Sequence, residues 1–264
     1  MGAILNVISN CKDDLVSYSI TLKSLHSIKD KIRLISVIKC KENFVDDFKK
    51  ISEPFKDKIL IFNADNGLYN ALNIAIKNID MKLPFICLHS GDLIFEKSKA
   101  FLIKLLSKPM SKKTIYLFNT YFFNLKDQNL EELSSNNNTF YEIRNLVRRE
   151  PLNFFLRNIY LFFSYNNHQS IIYSPDMSYL KFNESVGLAA DLLYNHYAYK
   201  KANKIYRYNK ILSIFNKNGI SSVSRKEEKI KSRLIILSKK PNIIFDQRFL
   251  KGFIAILIKK MLSN

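Results

Sequence analysis

The sequence predicts an α/β fold, a mostly parallel central sheet flanked by helices, with a basic helical extension at its C-terminal end. Three features carry that reading. Short apolar runs alternate with segments of helical period over roughly the first hundred residues, as in successive βαβ units. The run Leu83–Leu88 shows no clear polar alternation, which is the mark of a strand covered on both faces. Beyond residue 224 the chain turns to charged amphipathic segments. The expected division is therefore a domain over 1–224 and a basic amphipathic helical extension over 225–264.

Taken in order, Ile4 to Ser9 reads as the first buried strand. Asp13-Asp14 opens a helix with Leu15, Tyr18, Leu22 and Leu25 on one side. Leu34–Ile38 is a second strand, Val45–Ile51 a short helix, and Ile59–Phe62 a third strand. After Asp65-Asn66-Gly67, apolar residues fall at Leu68, Ala71, Leu72, Ala75, Ile76 and Ile79. That is the spacing of a helix with one buried face, and Asp65 stands where an N-terminal side-chain acceptor is wanted. The strand Leu83–Leu88 follows and ends in Ser90-Gly91-Asp92, before a helix over Glu96–Leu106. In open α/β sheets ligands bind outside the carboxyl ends of the strands, so Asp65 and Asp92 both fall where a ligand would sit.

Further on, Thr114–Asn119 and Tyr121–Leu125 are two apolar segments of high β-propensity. A polar loop is expected over 124–139. Arg144, Arg148, Arg149 and Arg157 then interleave with Phe154, Phe155, Tyr160 and Phe162. That mixture suits single-stranded nucleic acid, an acceptor cleft, or an amphipathic helix with a solvated Arg face. Ile171–Tyr173 is a strand, Asp191 begins a helix carrying Leu192, Leu193, Tyr197 and Tyr199, and Lys204–Phe215 gives two short strand-like pieces. Arg225–Leu237 and Asp246–Leu262 read as basic amphipathic helices, which lie on anionic membranes, pack on their own domain, or pair with a second copy.

Composition narrows the classes. Apolar residues make up 47 % of the chain, so it is globular rather than disordered. A formal charge of +19 implies anionic company: phosphate-bearing substrates, an anionic membrane surface, or nucleic acid. Cys11, Cys40 and Cys87 have neither metal-like nor paired spacing, which suits a reducing compartment. No apolar run reaches the roughly 20 residues of a membrane span, and the N-terminus does not read as a signal peptide.

The motifs also carry a resemblance. Asp65-Asn66-Gly67-Leu68-Tyr69-Asn70-Ala71-Leu72-Asn73, then Ser90-Gly91-Asp92, is similar to S-E-x-D-x-G-I-Y-D-A-M-N followed by N-S-G-D. That is the pattern of GT-A glycosyltransferases of family 2, in their bacterial surface-polysaccharide branch. The same branch shows H-Q-S before a strand, then F-D-E-S and I-A-A-D. Here the matching blocks are His168-Gln169-Ser170, then Phe182-Asn183-Glu184-Ser185 and Leu188-Ala189-Ala190-Asp191. Asn218-Gly219-Ile220-Ser221 matches G-G-I-S more weakly, so the resemblance covers about residues 3–224. The chain departs from the pattern at Lys39, Asn63 and Asn70, which stand where acidic residues are usual.

The resemblance implies a GT-A (Rossmann-like) fold and an inverting, metal-dependent transfer from a nucleotide-diphosphate sugar, most simply a UDP-sugar. The acceptor would be a glycan or lipid-linked hydroxyl in capsule, O-antigen or lipooligosaccharide synthesis. It implies donor binding by Asp65, Gly67, Asn73, Ser90 and Gly91. Asp92 would hold Mn²⁺ or Mg²⁺; one carboxylate with substrate phosphates is a usual arrangement for such ions. By place alone Asp92 could equally cap the following helix. His168, Gln169 and Glu184 would bind or orient the acceptor, and Asp191 would be the general base. A hydroxyl becomes a competent nucleophile when a carboxylate within hydrogen-bond reach takes its proton. By place alone, Asp191 also favours a helix N-terminus. His89 reads as a strand-end residue. The expected setting is the cytoplasm, peripheral on the inner membrane face, with no nucleic-acid partner and with a homo-oligomer left open. Two other readings remain: a noncatalytic binding or scaffold protein of this fold, and a basic nucleic-acid-binding module.

Overall fold

The computed structural model describes residues 3–123, 130–133, 168–216 and 226–239. The Arg-aromatic segment 144–162, the block at 218–221 and the helix expected over 246–262 lie outside them.

One mixed sheet organises the described chain, in the order β3-β2-β1-β4-β8-β6-β9-β5, with β7 pairing β6 off this path. The strands are β1 (Leu5–Lys12), β2 (Ile32–Lys39), β3 (Lys58–Phe62), β4 (Phe85–Cys87), β5 (Leu93–Ile94), β6 (Thr114–Phe123), β7 (Leu130–Leu133), β8 (Ile171–Tyr173) and β9 (Lys204–Asn216). The helices are α1 (Leu15–Leu25), α2 (Val45–Ser52), α3 (Leu68–Ile76), α4 (Lys99–Leu106), α5 (Ala190–Lys201) and α6 (Lys226–Lys239).

β1, β2, β3 and β4 are mutually parallel where they pair. The other half mixes directions: β8 runs antiparallel to both β4 and β6, whereas β6 and β9 are parallel. The chain lays down β2 and β3 on one side of β1, then returns to place β4 on the other side. The crevice between the carboxyl ends of β1 and β4 is therefore a topological switch point, the usual ligand position in such sheets.

Strand periodicity sorts the core into two layers. Ile8, Ile35, Phe85, Cys87 and Ile171 face a cluster with Leu72, Ala75 and Tyr194, which covers one side of the sheet. Their neighbours Val7, Leu34, Ile86 and Ile172 face the opposite cluster with Tyr18, Leu22, Phe48 and Leu102. Successive side chains on a strand point to opposite faces, so both faces are buried and the strands lose polar alternation.

Several boundaries differ from expectation for local reasons. The two apolar pieces are joined over Thr114–Phe123 as one strand, β6, and the two at 204–215 form β9. A register irregularity around Asn119 lets β6 and β9 stay paired through what sequence reads as a break. β5 is a two-residue strand, made by pairing with β9 rather than by local propensity. At α3 the N-cap is Gly67, at φ +137°, rather than Asp65. Asp65 instead accepts from the Gly67 N–H through Oδ2 at 3.2 Å, holding the turn ahead of the helix. α6 docks on the turn before α5: Ser232 Oγ accepts from the Leu188 N–H at 3.2 Å, and Ile236 is fully buried. Among the described residues no helix is long and apolar enough to cross a membrane.

Candidate active site

The site forms at the carboxyl ends of β1 and β4 and is closed by the turn before β8 and the start of α5. After β4 the chain turns through His89-Ser90-Gly91-Asp92. Gly91 sits at φ +92°, and a Cβ there would come within 2.9 Å of the Asn216 amide nitrogen. Its N–H donates to Thr21 Oγ1 at 2.8 Å. The left-handed backbone is what favours glycine here.

That turn aims Asp92 inward, where it is 2 % exposed. Oδ1 accepts from the Asn216 N–H and Oδ2 from the His89 N–H, each at 3.1 Å. Burial pushes its carboxyl up to about 7, against the pull of these N–H groups, of His168 and of Gln169. The carboxylate is thus desolvated beyond what its hydrogen bonds offset. Among the described residues, no three carboxylate, imidazole or thiol groups converge into a cage. A single desolvated carboxylate still fits Mg²⁺ or Mn²⁺, which take one or two protein carboxylates together with substrate phosphate oxygens.

The second part is the 3-10 turn His168–Ser170. Ser170 Oγ donates to the Asn119 carbonyl at 3.0 Å and accepts from Thr120 Oγ1 at 2.6 Å, and it meets Ser213 Oγ at 2.6 Å. These hydroxyls lock the turn onto the irregular stretch of β6 and β9. His168 and Gln169 are thereby held, buried, beside Asp92. His168 Nδ1 lies 3.3 Å from Asp191 Oδ2, yet makes no aligned hydrogen bond among the described residues. His168 thus stands between the two carboxylates.

Asp191 is in the first turn of α5, and its Oδ1 accepts from the Leu192 N–H at 2.7 Å. Both readings of this residue therefore have a structural counterpart, one oxygen on the helix start and the other on His168. Its side chain is 33 % exposed, so a ligand can reach it. Tyr69 of α3 lies against the same carboxylate. Burial first, and then the Asp191 charge, hold its phenol well above the ordinary range, and its hydroxyl donates to the Leu188 carbonyl at 3.1 Å.

The remaining predicted residues fall around this centre. Asp65 is buried, and among the described residues its Oδ1 has no hydrogen-bond partner. Lys39 Nζ donates to the Asp65 carbonyl at 3.2 Å. Asn63, at φ +52°, ties the ends of β2 and β3 by accepting from the Cys40 N–H at 2.9 Å. Ser90 is half-buried and lies beside the Cys11 thiol. Asn73 brackets the Phe182 backbone, donating to its carbonyl and accepting from its N–H, each at 2.9 Å. Asn70 and Asn73 both donate to Glu184 Oε1 at 3.1 Å. These two asparagines join the motif block at 65–73 to the one at 182–185. Asn10 Oδ1 contacts the His89 ring, whose other nitrogen faces His168; sequence reasoning missed Asn10 and Tyr69 and left His89 as a strand-end residue. The Tyr69 signal was present, one helical turn before Asn73; Asn10 carried none.

No protein-family profile matches the chain, and no curated protein matches its sequence. Its fold does have solved counterparts. Staphylococcus aureus TarS 1-349 is 15 % identical, with a TM-score of 0.61, covering 100 % of this chain and 74 % of that one. The same protein in complex with UDP aligns at 16 % identity and a TM-score of 0.56, covering 96 % and 71 %. The mannosyltransferase PcManGT from Pyrobaculum calidifontis, in complex with GDP-Man and Mn²⁺, aligns at 10 % identity and a TM-score of 0.60, covering 100 % and 76 %. The chain has a GT-A-type, Rossmann-like fold.

Proposed function

We propose that this chain is an inverting glycosyltransferase that moves a sugar from a nucleotide-diphosphate sugar to a hydroxyl of a glycan or lipid-linked acceptor. The observation that carries this reading is the pairing of Asp92 and Asp191 through His168 at the switch point of a GT-A-type sheet. The solved counterparts with UDP and with GDP-Man and Mn²⁺ support a nucleotide-sugar donor. The UDP-sugar and the role in surface-polysaccharide synthesis rest on the sequence blocks. Peripheral attachment to the inner membrane face rests on the basic charge of the 225–264 extension.

The chain's own residues divide the work. Asp92 would hold the dication, which when bound neutralises charge on the departing diphosphate. Asp65 Oδ1, buried and without a partner among the described residues, would accept from a ribose hydroxyl or a base N–H. Gly67, Ser90 and Gly91 let the backbone approach the donor, while Asn73 and Glu184 hold the segment leading to Asp191. Asp191 would take the acceptor hydroxyl's proton as its oxygen attacks the anomeric carbon from the face opposite the leaving group, inverting that centre.

The test is binding and hydrolysis of a panel of UDP-, GDP- and dTDP-sugars, with and without Mn²⁺, by the wild type and Asp92→Ala. Mn²⁺-dependent binding of one donor that is lost in Asp92→Ala is the expected result. Folded protein that binds no donor would favour the scaffold reading, with Asp92 serving only to bridge β4 and β9.

A further inference from the structure

The first helix of the extension, α6, takes hold of the chain just before Asp191. Between two helical turns the backbone kinks at Gly187 (φ +60°, ψ −137°), and it then enters α5. The peptide groups of the next residue, Leu188, are gripped on both sides. The Leu188 carbonyl accepts from the Tyr69 hydroxyl of α3 at 3.1 Å. The Leu188 N–H donates to Ser232 Oγ of α6 at 3.2 Å.

The Ser232 hydroxyl is set for this contact. It is buried, and its hydrogen goes to the Glu228 carbonyl at 2.8 Å, one turn back in α6. That leaves its lone pairs for the Leu188 N–H. Ile236 is buried in the core cluster that also holds Val186, Ala189 and Ala190. Positions i and i+4 share a helix face, so the packing that seats Ile236 also fixes where Ser232 stands. This face of α6 is spent on its own domain.

The start of α5 shows what the grip supplies. The first N–H groups of a helix have no intrahelical partners, and an N-cap side chain commonly meets one of them. Here the N-cap is Ala189, which has no side-chain acceptor. The Ala190 N–H donates instead to the Gly187 carbonyl, across the Leu188 peptide. Asp191 follows in the same first turn, with Oδ1 bound to the Leu192 N–H. The placement of that turn is therefore set from outside the helix, through Leu188.

We propose that Ser232 is a positioning residue for Asp191: by holding the Leu188 backbone against Tyr69, it fixes the first turn of α5 and the carboxylate that this turn carries. The link to catalysis rests on the reading of Asp191 as the base; the grip on the turn does not.

Amide hydrogen exchange of the full-length protein, read by NMR, tests the grip without any substrate. Ser232→Ala speeds exchange at both Leu188 and Ala190 roughly threefold to tenfold, as loss of one neutral hydrogen bond does. Ala71 of α3, whose N–H donates to the Gly67 carbonyl at 2.9 Å, keeps its wild-type rate as the internal control. Unchanged exchange at Leu188, or faster exchange confined to Leu188 with Ala190 unmoved, overturns the proposal.

Hydrolysis of a UDP-sugar with Mn²⁺ then tests the coupling. Ser232→Ala lowers turnover roughly tenfold, as misplacement of a reacting group does, with the KM for donor unchanged. In an Asp191→Asn background, Ser232→Ala costs nothing further, because the two act as one unit. An equal fold-loss in both backgrounds overturns the coupling. Full turnover in Asp191→Asn alone removes the base assignment instead, and the exchange pattern still decides whether α6 holds the turn.

Discussion

Replacing Asp92 by Asn tests the desolvated carboxylate directly. Its folded pKa is about 7 against an ordinary 3.8. Across that interval the folded state holds the proton that the unfolded chain has released, so stability is present at low pH and falls as pH rises from about 4 to 7. About three pK units at about 1.4 kcal/mol each make this loss about 4 kcal/mol. Asp92→Asn has the shape of the protonated acid and no charge to bury, so it lacks this pH dependence. Thermal unfolding from pH 4.5 to 8 should show matching midpoints at the acid end. At pH 8 the variant should melt about 10 °C above wild type, at a few degrees per kcal/mol for a chain of this size. Mn²⁺ with UDP should raise the wild-type midpoint at pH 8 and leave the variant unmoved. Two melting curves that stay parallel across the range would refute the reasoning, since the carboxylate would then be solvated or already neutralised.

Three further outcomes are expected. Gly91→Ala places a Cβ on a backbone at φ +92°, so it should lose about 1–3 kcal/mol in urea unfolding and weaken Mn²⁺-dependent nucleotide binding. Asp191→Asn should lower sugar transfer or donor hydrolysis by about 10²–10⁴-fold while nucleotide affinity by calorimetry is kept. Asn73→Ala removes two hydrogen bonds to the Phe182 backbone and should cost about 2 kcal/mol, with faster proteolysis of the segment between β8 and α5.

Much of this protein was legible in its sequence because the determinants are local. Short continuous apolar runs located β1 to β4, and residues of helical spacing between them located α1 to α3. Asp14 and the glycines at 67 and 91 mark turns that backbone sterics nearly dictate, and Asp14 does cap α1 by accepting from the Ser17 N–H at 2.8 Å. The position of Asp92 after a doubly buried strand already placed it at a ligand end. The motif blocks at 65–73, 90–92, 168–170 and 184–191 could be recognised separately.

Tertiary structure alone decided how those blocks meet. β5 exists because β9 arrives beside it, and β6 and β9 stay whole because each supplies the other's hydrogen bonds through an irregular register. No spacing rule reveals that Asn73 clamps Phe182, 109 residues away, or that Ser232 of α6 supports the Leu188 backbone. Asp92 is desolvated by burial, and the groups that partly offset it come from β9 and from the His168–Ser170 turn. His89, His168 and Asp191 come from after β4, from before β8 and from α5, and meet only in the folded chain. Sequence fixes the chemistry that each side chain carries, because that is covalent. Which groups share a proton or a buried charge is set by packing over a few ångströms, and only the closed sheet brings them within that range.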